Sequence, residues 1–398
     1  TTTSCRRIRM NKKLLTLAIV GVLTPAAVCA TAMADVTISG YANVSVDSMK
    51  NGASGAAERS GSYVSSNASN IDINANTDIG NGMKALFSSQ TFVSLGSDNN
   101  PPAGNAAGFS YDQFSNGNTY AGLEGGFGMI AAGRNDSPMK QLGRAVDLFG
   151  NEIGDSRNIT SGANVSPLGV ASGANHFDLR PGHTVFYVSP DLGGVTVKAA
   201  YTMENSAVDA SPSGGLGGVS AVPPAGKGSA TSVSAVYNQG PLLAGLAYEY
   251  HSASTYASLS SSAESAIRAA ASLNLDPVRV TALYQHDSNI SGTSSASLNV
   301  WGLGVAYTFI PDYAVKAQYY GAANVGGTNN TGAHMVAVGV THTFSPNASA
   351  YLDYAKTYNQ TSADYGMAGG GHGNVVLTPV AGTGANPYGV SLGMIYTF

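Results

Sequence analysis

Cysteine is nearly absent. The 398 residues hold two, Cys5 and Cys29, and both lie in a processing segment. Met10 is followed by Asn11, Lys12 and Lys13, then by an apolar run from Leu14 to Val28, then by Ala32, Met33 and Ala34. A basic start, a short apolar stretch and an A-x-A site make a secretory signal, with cleavage expected after Ala34. Residues 1–9 read as upstream sequence. The run is too short and wrongly flanked for a retained anchor helix, and Ala-Ala-Val before Cys29 lacks the leucine of a lipidation site. Residues 35–398 then contain no cysteine, which excludes disulfides and thiol chemistry there.

Charge is also scarce, at 11% of the chain. The leader carries five of the 19 basic residues and none of the 23 acids. Residues 35–398 therefore hold 14 basic against 23 acidic groups, a net charge of −9. That balance argues against nucleic acid as a partner, which favours a basic face. Long hydrophobic runs are missing as well. No stretch after the leader reaches the roughly 18 apolar residues of a spanning helix. No nucleophile elbow, H-E-x-x-H, P-loop or Cys/His metal spacing occurs, so no enzyme and no cofactor is indicated. His334 and His342 fall on one outward strand face, too far apart for a metal pair; His176, His183 and His251 lie near loops.

What is abundant is glycine, with 50 residues, and tyrosine, with 21 against 11 phenylalanines. Mean hydropathy is near zero. Low charge at neutral hydropathy suits a transmembrane barrel, whose strands alternate between lipid and water. Disorder accounts for the Gly/Ser-rich stretches only; the rest is rich in patterned Val, Leu and Tyr.

Period-2 alternation recurs throughout. Trp301, Leu303, Val305, Tyr307 and Phe309 alternate with Gly302, Gly304, Ala306 and Thr308. Sixteen strands are predicted, near 35–47, 67–77, 82–94, 118–124, 127–135, 183–190, 194–204, 229–238, 241–252, 264–274, 277–287, 297–309, 312–322, 333–345, 348–358 and 387–398. Tight connections such as Gly125–Gly126, Gln239–Gly240 and Pro346–Asn347 alternate strictly with long ones. Turns then lie on one side and loops on the other, the asymmetry of an outer-membrane barrel. A β-sandwich has no reason to sort its loops this way. Backbone groups in lipid must all be paired, so the sheet must close. Sixteen strands leave an aqueous channel. The expected class is all-β, a 16-stranded antiparallel transmembrane β-barrel. Tyr201, Tyr248, Tyr284, Tyr307, Tyr354 and Tyr396 are candidates for its aromatic girdles.

The longest connection, about 136–182, opens on "RNDSPMKQLGRAVDLFGNEIGDSRN", with three arginines, one lysine and four acids. A structureless loop of this length usually has a task. It has the reach to enter the lumen and narrow it. Charge excluded from the lipid face gathers where water is, and rings of charge set ion selectivity.

Several segments resemble the trimeric general diffusion porins of the Gram-negative outer membrane, in their beta-proteobacterial branch. They are "DVTISGYANVSVD", "NTDIGNGMKALF", "YAGLEGGFGMIAAGRN", "RPGHTVFYVSPDLGGVTVKAAY", "VGVTHTFSPNASAYLDYAKT" and "YGVSLGMIYTF". The resemblance implies a water-filled channel for passive diffusion of ions and small hydrophilic solutes. It implies a homotrimer set in outer-membrane lipid. It also implies an inward-folded third loop, with Asp147, Glu152 and Asp155 facing the wall basics Arg134, Arg180 and Lys84. Tyr396 and Phe398 match the signal read by the barrel-assembly machinery. The family usually has arginine where this chain has Asn70. With the charge of −9, this predicts a weak cation preference or none. A substrate-specific channel, an outer-membrane lipase and an adhesin-like barrel with a sealed lumen are the competing readings.

Overall fold

The computed structural model describes residues 34–95, 114–161, 177–203, 229–252, 263–290, 293–367, 371–373 and 383–398. Residues 1–33, which hold most of the expected leader, lie outside the described residues. Seventeen strand segments form one antiparallel sheet. Two of them share one stave, so the barrel has sixteen strands. β1 is Asp35–Lys50; β2 runs in two pieces, Ser60–Ser66 and Asn70–Gly80; β3 is Met83–Phe92, β4 Thr119–Gly125, β5 Gly128–Arg134, β6 Thr184–Val188, β7 Val195–Thr202 and β8 Ala230–Gln239. Then follow β9 Leu242–His251, β10 Glu264–Leu275, β11 Val278–Ser288, β12 Ser297–Ile310, β13 Tyr313–Ala322, β14 Ala333–Ser345, β15 Ala348–Asn359 and β16 Tyr388–Thr397.

Each strand pairs with its neighbours in sequence, and β1 closes on β16, from Tyr41 opposite Thr397 to Lys50 opposite Tyr388. Gly40 and Phe398 extend the seam by exchanging backbone hydrogen bonds of 2.9 and 3.1 Å. Closure leaves no edge, which a bilayer requires. The tight connections at Gly125–Gly126, Gln239–Gly240 and Pro346–Asn347 are short turns in the structure.

One boundary differs from expectation. Residues 60–66 are strand, not loop: Val44 to Lys50 pair with Ser66 to Ser60, while Asp35 to Tyr41 pair with Asn76 to Asn70. "SGSYVSS" is too poor in apolar residues to read as a strand. Its pairing with β1 overrides that weak local preference. The break between the two pieces falls at Asn67–Ser69, where Ala68 has φ 52°, a conformation unfavourable for a residue with a Cβ.

The alternation holds on the outside. Trp301, Leu303, Val305, Tyr307 and Phe309 are all exposed, as are all six tyrosines expected in girdles. The two outward histidines of β14 join these belts. His334 stacks with Tyr319 and Tyr358 at centroid distances of 5.8 and 4.8 Å. His342 stacks on Tyr313 at 4.1 Å and meets Phe344 edge-on at 4.5 Å. Eight residues along a strand span about 26 Å, close to the roughly 25 Å apolar band of such barrels. β14 therefore carries one aromatic cluster at each rim.

The inside departs from a plain polar lining. Leu283, Leu298, Val300, Tyr320 and Met335 point inward on β11–β14 and are at most 4% exposed. Apolar groups would not face water there. They are covered by loops folded into the barrel.

Candidate functional site

The loop between β5 and β6 enters the lumen at a narrow neck. Gly133, at φ 148°, frees the backbone just before Arg134. Asn135 N–H donates to Pro181 O (3.4 Å) and Ser137 N–H to Leu179 O (3.0 Å), so the outgoing and returning arms are joined where they leave the wall. Helix α1, Pro138–Arg144, starts at once. Ser137 is its N-cap, accepting from Lys140 N–H at 3.2 Å, and Pro138 occupies the first turn, where a missing N–H costs nothing.

Met139, Leu142, Gly143 and Val146 recur at helical spacing and are buried against the wall strands β8–β10. With Ile159 and Phe177 of the same loop they complete a core with Leu283, Leu298, Val300 and Met335. Burying each large apolar side chain is worth about 1.5–3 kcal/mol, against about 0–1 kcal/mol for an exposed ion pair. The loop is therefore held mainly by burial.

Polar wall groups set its register. Arg268 on β10 is fully buried and clamps both arms. Its guanidinium donates to Met139 O (2.9 Å) on the outgoing arm and to Asp178 (3.0 Å) on the returning one. Arg279 donates to Ala145 O (2.9 Å). Gln318 donates to Gly154 O (2.6 Å) and to Asp147 (3.0 Å) and accepts from Leu148 N–H (3.2 Å). Gln285 donates to Thr160 O (3.1 Å), behind the short helix α2, Arg157–Thr160. Phe177 stacks on His251 at 5.0 Å. A second external connection folds in as well: Ala363, Tyr365 and Met367 are fully buried, with Met367 in one cluster with Phe149 and Ile153 of the first loop.

The three loop acids come together at the loop's inner tip, and each is fully engaged. Asp147 accepts from Phe149 N–H and from Ser156 N–H and Oγ–H, all at 3.0 Å, besides Gln318. Asp155 accepts from Asn151 N–H (2.7 Å) and from Arg157 through its backbone N–H (2.8 Å), Nε (3.0 Å) and Nη2 (2.8 Å). Glu152 pairs with Lys316 of β13. Burial pushes the Asp155 carboxyl up to about 6, although Arg157 opposes the rise.

Of the basic residues expected opposite these acids, Arg180 binds Asp136 (2.8 Å) and lies over the Phe92 ring (4.9 Å). Lys140 shares Asp136 (2.9 Å). Burial pulls the Lys140 ammonium down to about 8 despite Asp136. Asp136 itself is held well below the carboxylate range by Arg180 and Lys140, against the effect of burial. Arg134 is half-buried at the neck. Lys84 stands exposed at the turn-side rim, in register between Asp78 and Glu124, and does not join the loop. Asn70, where the family usually has arginine, is buried and donates to Ala68 O (2.9 Å). Arg268 was not among the expected site residues. Its signal was a lone arginine out of phase with outward Ile267 in "ESAIRAAAS". Among the described residues no cluster of His, Asp and Glu has the arrangement of a metal site.

A closed barrel with an external loop fastened inside its lumen is the architecture of a pore-forming outer-membrane protein. The family described as Gram-negative porin matches residues 18–362, and the chain belongs to it. It is a multi-pass protein of the outer membrane. The "Major outer membrane protein P.IB" of Neisseria gonorrhoeae is 29% identical over 189 residues, 46% of this chain and 47% of that one. Matches to curated relatives span between about a third and a half of their length. The anion-selective porin from Comamonas acidovorans has the same fold, with a TM-score of 0.69 at 20% identity, covering 92% of this chain and all of that one. OmpT of Vibrio cholerae, in its trimer form, superposes at a TM-score of 0.55 and 12% identity over 92% of this chain and 99% of that one.

Proposed function

We propose that the protein is a passive diffusion channel for ions and small hydrophilic solutes, narrowed by the loop between β5 and β6. The observation that carries this reading is the fastening of that loop inside the barrel by Arg268, Arg279, Gln318 and Lys316. Wall residues that hold a loop across a water-filled lumen set a fixed aperture. Asp147, Glu152 and Asp155 build the loop tip, Arg134 and Arg180 its neck, and Lys84 lies on the exit rim. Nothing in this arrangement needs a cofactor or a reacting group. Proteoliposomes should swell in isotonic solutions of small sugars, at a rate that falls with solute size. Swelling no faster than in protein-free vesicles would rule the channel out, and hydrolysis of added phospholipid would point to the lipase reading.

The outer face supports a homotrimer. From β7 onward the exposed outward residues include Tyr201, Tyr248, Tyr250, Tyr284, Trp301, Tyr319 and Tyr358. On β1–β5 they are Val36, Ile38, Val46, Val64, Ile71, Ile79, Phe87, Leu123 and Ile130, with small residues such as Ala75 and Ala121 between them. Surfaces that meet headgroups carry Tyr and Trp belts. A face of mostly aliphatic and small residues without a Tyr or Trp belt suits contact with another copy of the chain. At the seam, Phe398 stacks with Tyr396 (6.1 Å), in keeping with an assembly signal presented on the outside.

A further inference from the structure

The returning arm of the inward loop rests on a histidine caught between two acids. His251 is the last residue of β9, and Glu249, two residues before it, shares its inward face. Glu264, the first residue of β10, lies directly opposite His251 across the ladder. Glu264 Oε1 is 2.7 Å from the ring Nδ1, and Glu249 Oε1 is 3.0 Å from Nε2. All three residues are at most 1% exposed. Phe177 of the loop stacks on the imidazole at 5.0 Å, with 20° between the ring planes. The next residue, Asp178, accepts from the Arg268 guanidinium at 3.0 Å.

Proton counting fixes the state of this ring. A carboxylate only accepts hydrogen bonds, and a neutral imidazole carries a single N–H. A neutral ring can therefore serve one of the two acids. The other would face a bare nitrogen lone pair at hydrogen-bond distance, shut off from water. Two bridges need two protons, and imidazole is a stronger base than a carboxylate, at about 6.5 against about 4.3. The ring is then an imidazolium that donates from both nitrogens. Its surroundings favour that cation. Asp178 of the loop and Asp287 of β11 join Glu249 and Glu264, and the other base among these groups is Arg268 of β10. Arg268 lies in the field of Asp178, Asp287 and Glu249, and Asp287 in that of Glu264. Tyr365 of the last external connection lies in the field of Asp287. On the other side, β8 places the uncharged Ala230 and Ser232 opposite His251 and Glu249.

We propose that His251 is a positioning residue of the channel: held as an imidazolium between Glu249 and Glu264, it seats the returning arm of the inward loop through Phe177, and loss of its extra proton frees that arm. The proposal rests on the channel reading above. The latch is complete at neutral pH and is lost as pH rises, because one carboxylate then meets a lone pair and pushes the ring from beneath Phe177. Two measurements test it. In solid-state nitrogen-15 spectra of histidine-labelled protein at pH 8, a ring protonated at both nitrogens is expected. Glu249→Gln, whose amide donates to a neutral ring, is expected to lose that signal. Its absence from the wild type, or its persistence in Glu249→Gln, overturns the assignment. In single-channel recordings of the purified protein, the wild type is expected to close about tenfold more often at pH 10 than at pH 7, since a stranded buried charge is costly. His251→Gln is expected to close that often already at pH 7, and Glu249→Gln to stay quiet up to pH 10. Lys140 titrates alike in all three proteins, so the differences between them report the latch. A wild type equally quiet at both pH values, or the same rise in Glu249→Gln, overturns the latch. Should His251→Gln fail to assemble, the wild type and Glu249→Gln still decide. Absence of any conductance step overturns the channel reading instead, and the nitrogen spectra then still decide the protonation.

Discussion

Glu152, at the tip of the inward loop, is ion-paired with Lys316 on β13, and both side chains are less than 10% exposed. The same ammonium lies 3.8 Å from Asp353 on β15 and 4.2 Å above the Phe149 ring. Removing one partner of a buried pair strands the other, at a cost of about 3–5 kcal/mol. Lys316→Met should therefore destabilise the folded barrel by that order. Replacing both partners, as Lys316→Met with Glu152→Gln, should recover much of the loss. Denaturant unfolding followed by tyrosine and tryptophan fluorescence checks both. Equal stability of the single and the wild-type protein would mean that the pair does not hold the loop.

Two loop groups titrate within reach of ordinary buffers. Asp155 lies at about 6, above its usual 3.8, so it is ionised at neutral pH and takes up a proton as pH falls through 6. Arg157 then loses its counter-charge and the constriction becomes more positive. Lys140 lies at about 8, below its usual 10.5, so it loses its charge as pH rises through 8. Both changes act in one direction: chloride preference should rise from pH 8.5 to pH 5. Zero-current potentials across this range check it. In Asp155→Asn the step near pH 6 should vanish while the step near 8 remains.

The proposed trimer face gives a paired test. Ala121 on β4 lies on the face without aromatic belts, and Ala317 on β13 on the belted face. Tryptophan is welcome where the barrel meets lipid and obstructive where two walls pack closely. Ala121→Trp should lower the trimer fraction in native electrophoresis of detergent extracts, and Ala317→Trp should not.

The seam makes a further prediction. A Cβ on Gly40 would come within 2.3 Å of the Phe398 ring. Gly40→Ala should displace that ring and reduce folded protein in the outer membrane, measured as the heat-modifiable fraction on gels. Deletion of Phe398 should do the same. An undiminished fraction in both would separate the ring's position from assembly.

The barrel was legible because its physics is periodic. Residues such as Leu303 and Val305 must face lipid and Gly304 must not, so alternation and turn spacing give the strands. Residues 60–66 escaped because serine and glycine carry no alternation. The loop was legible as long, charged and inward, but not its wiring. The partners of Asp147 lie next to it in the chain and on β13, and no spacing in the sequence announces Gln318. The likeness to known porins supplied acids facing wall arginines. In this chain the tip acids are instead consumed by loop backbone, Arg157 and Lys316.

The lumen, though crossed by a loop packed as firmly as a protein core, should remain an open aqueous path. Single-channel recording of the purified protein in planar bilayers tests it most directly. Discrete conductance steps that scale with KCl concentration are expected. Protein that inserts folded and passes no current would contradict it.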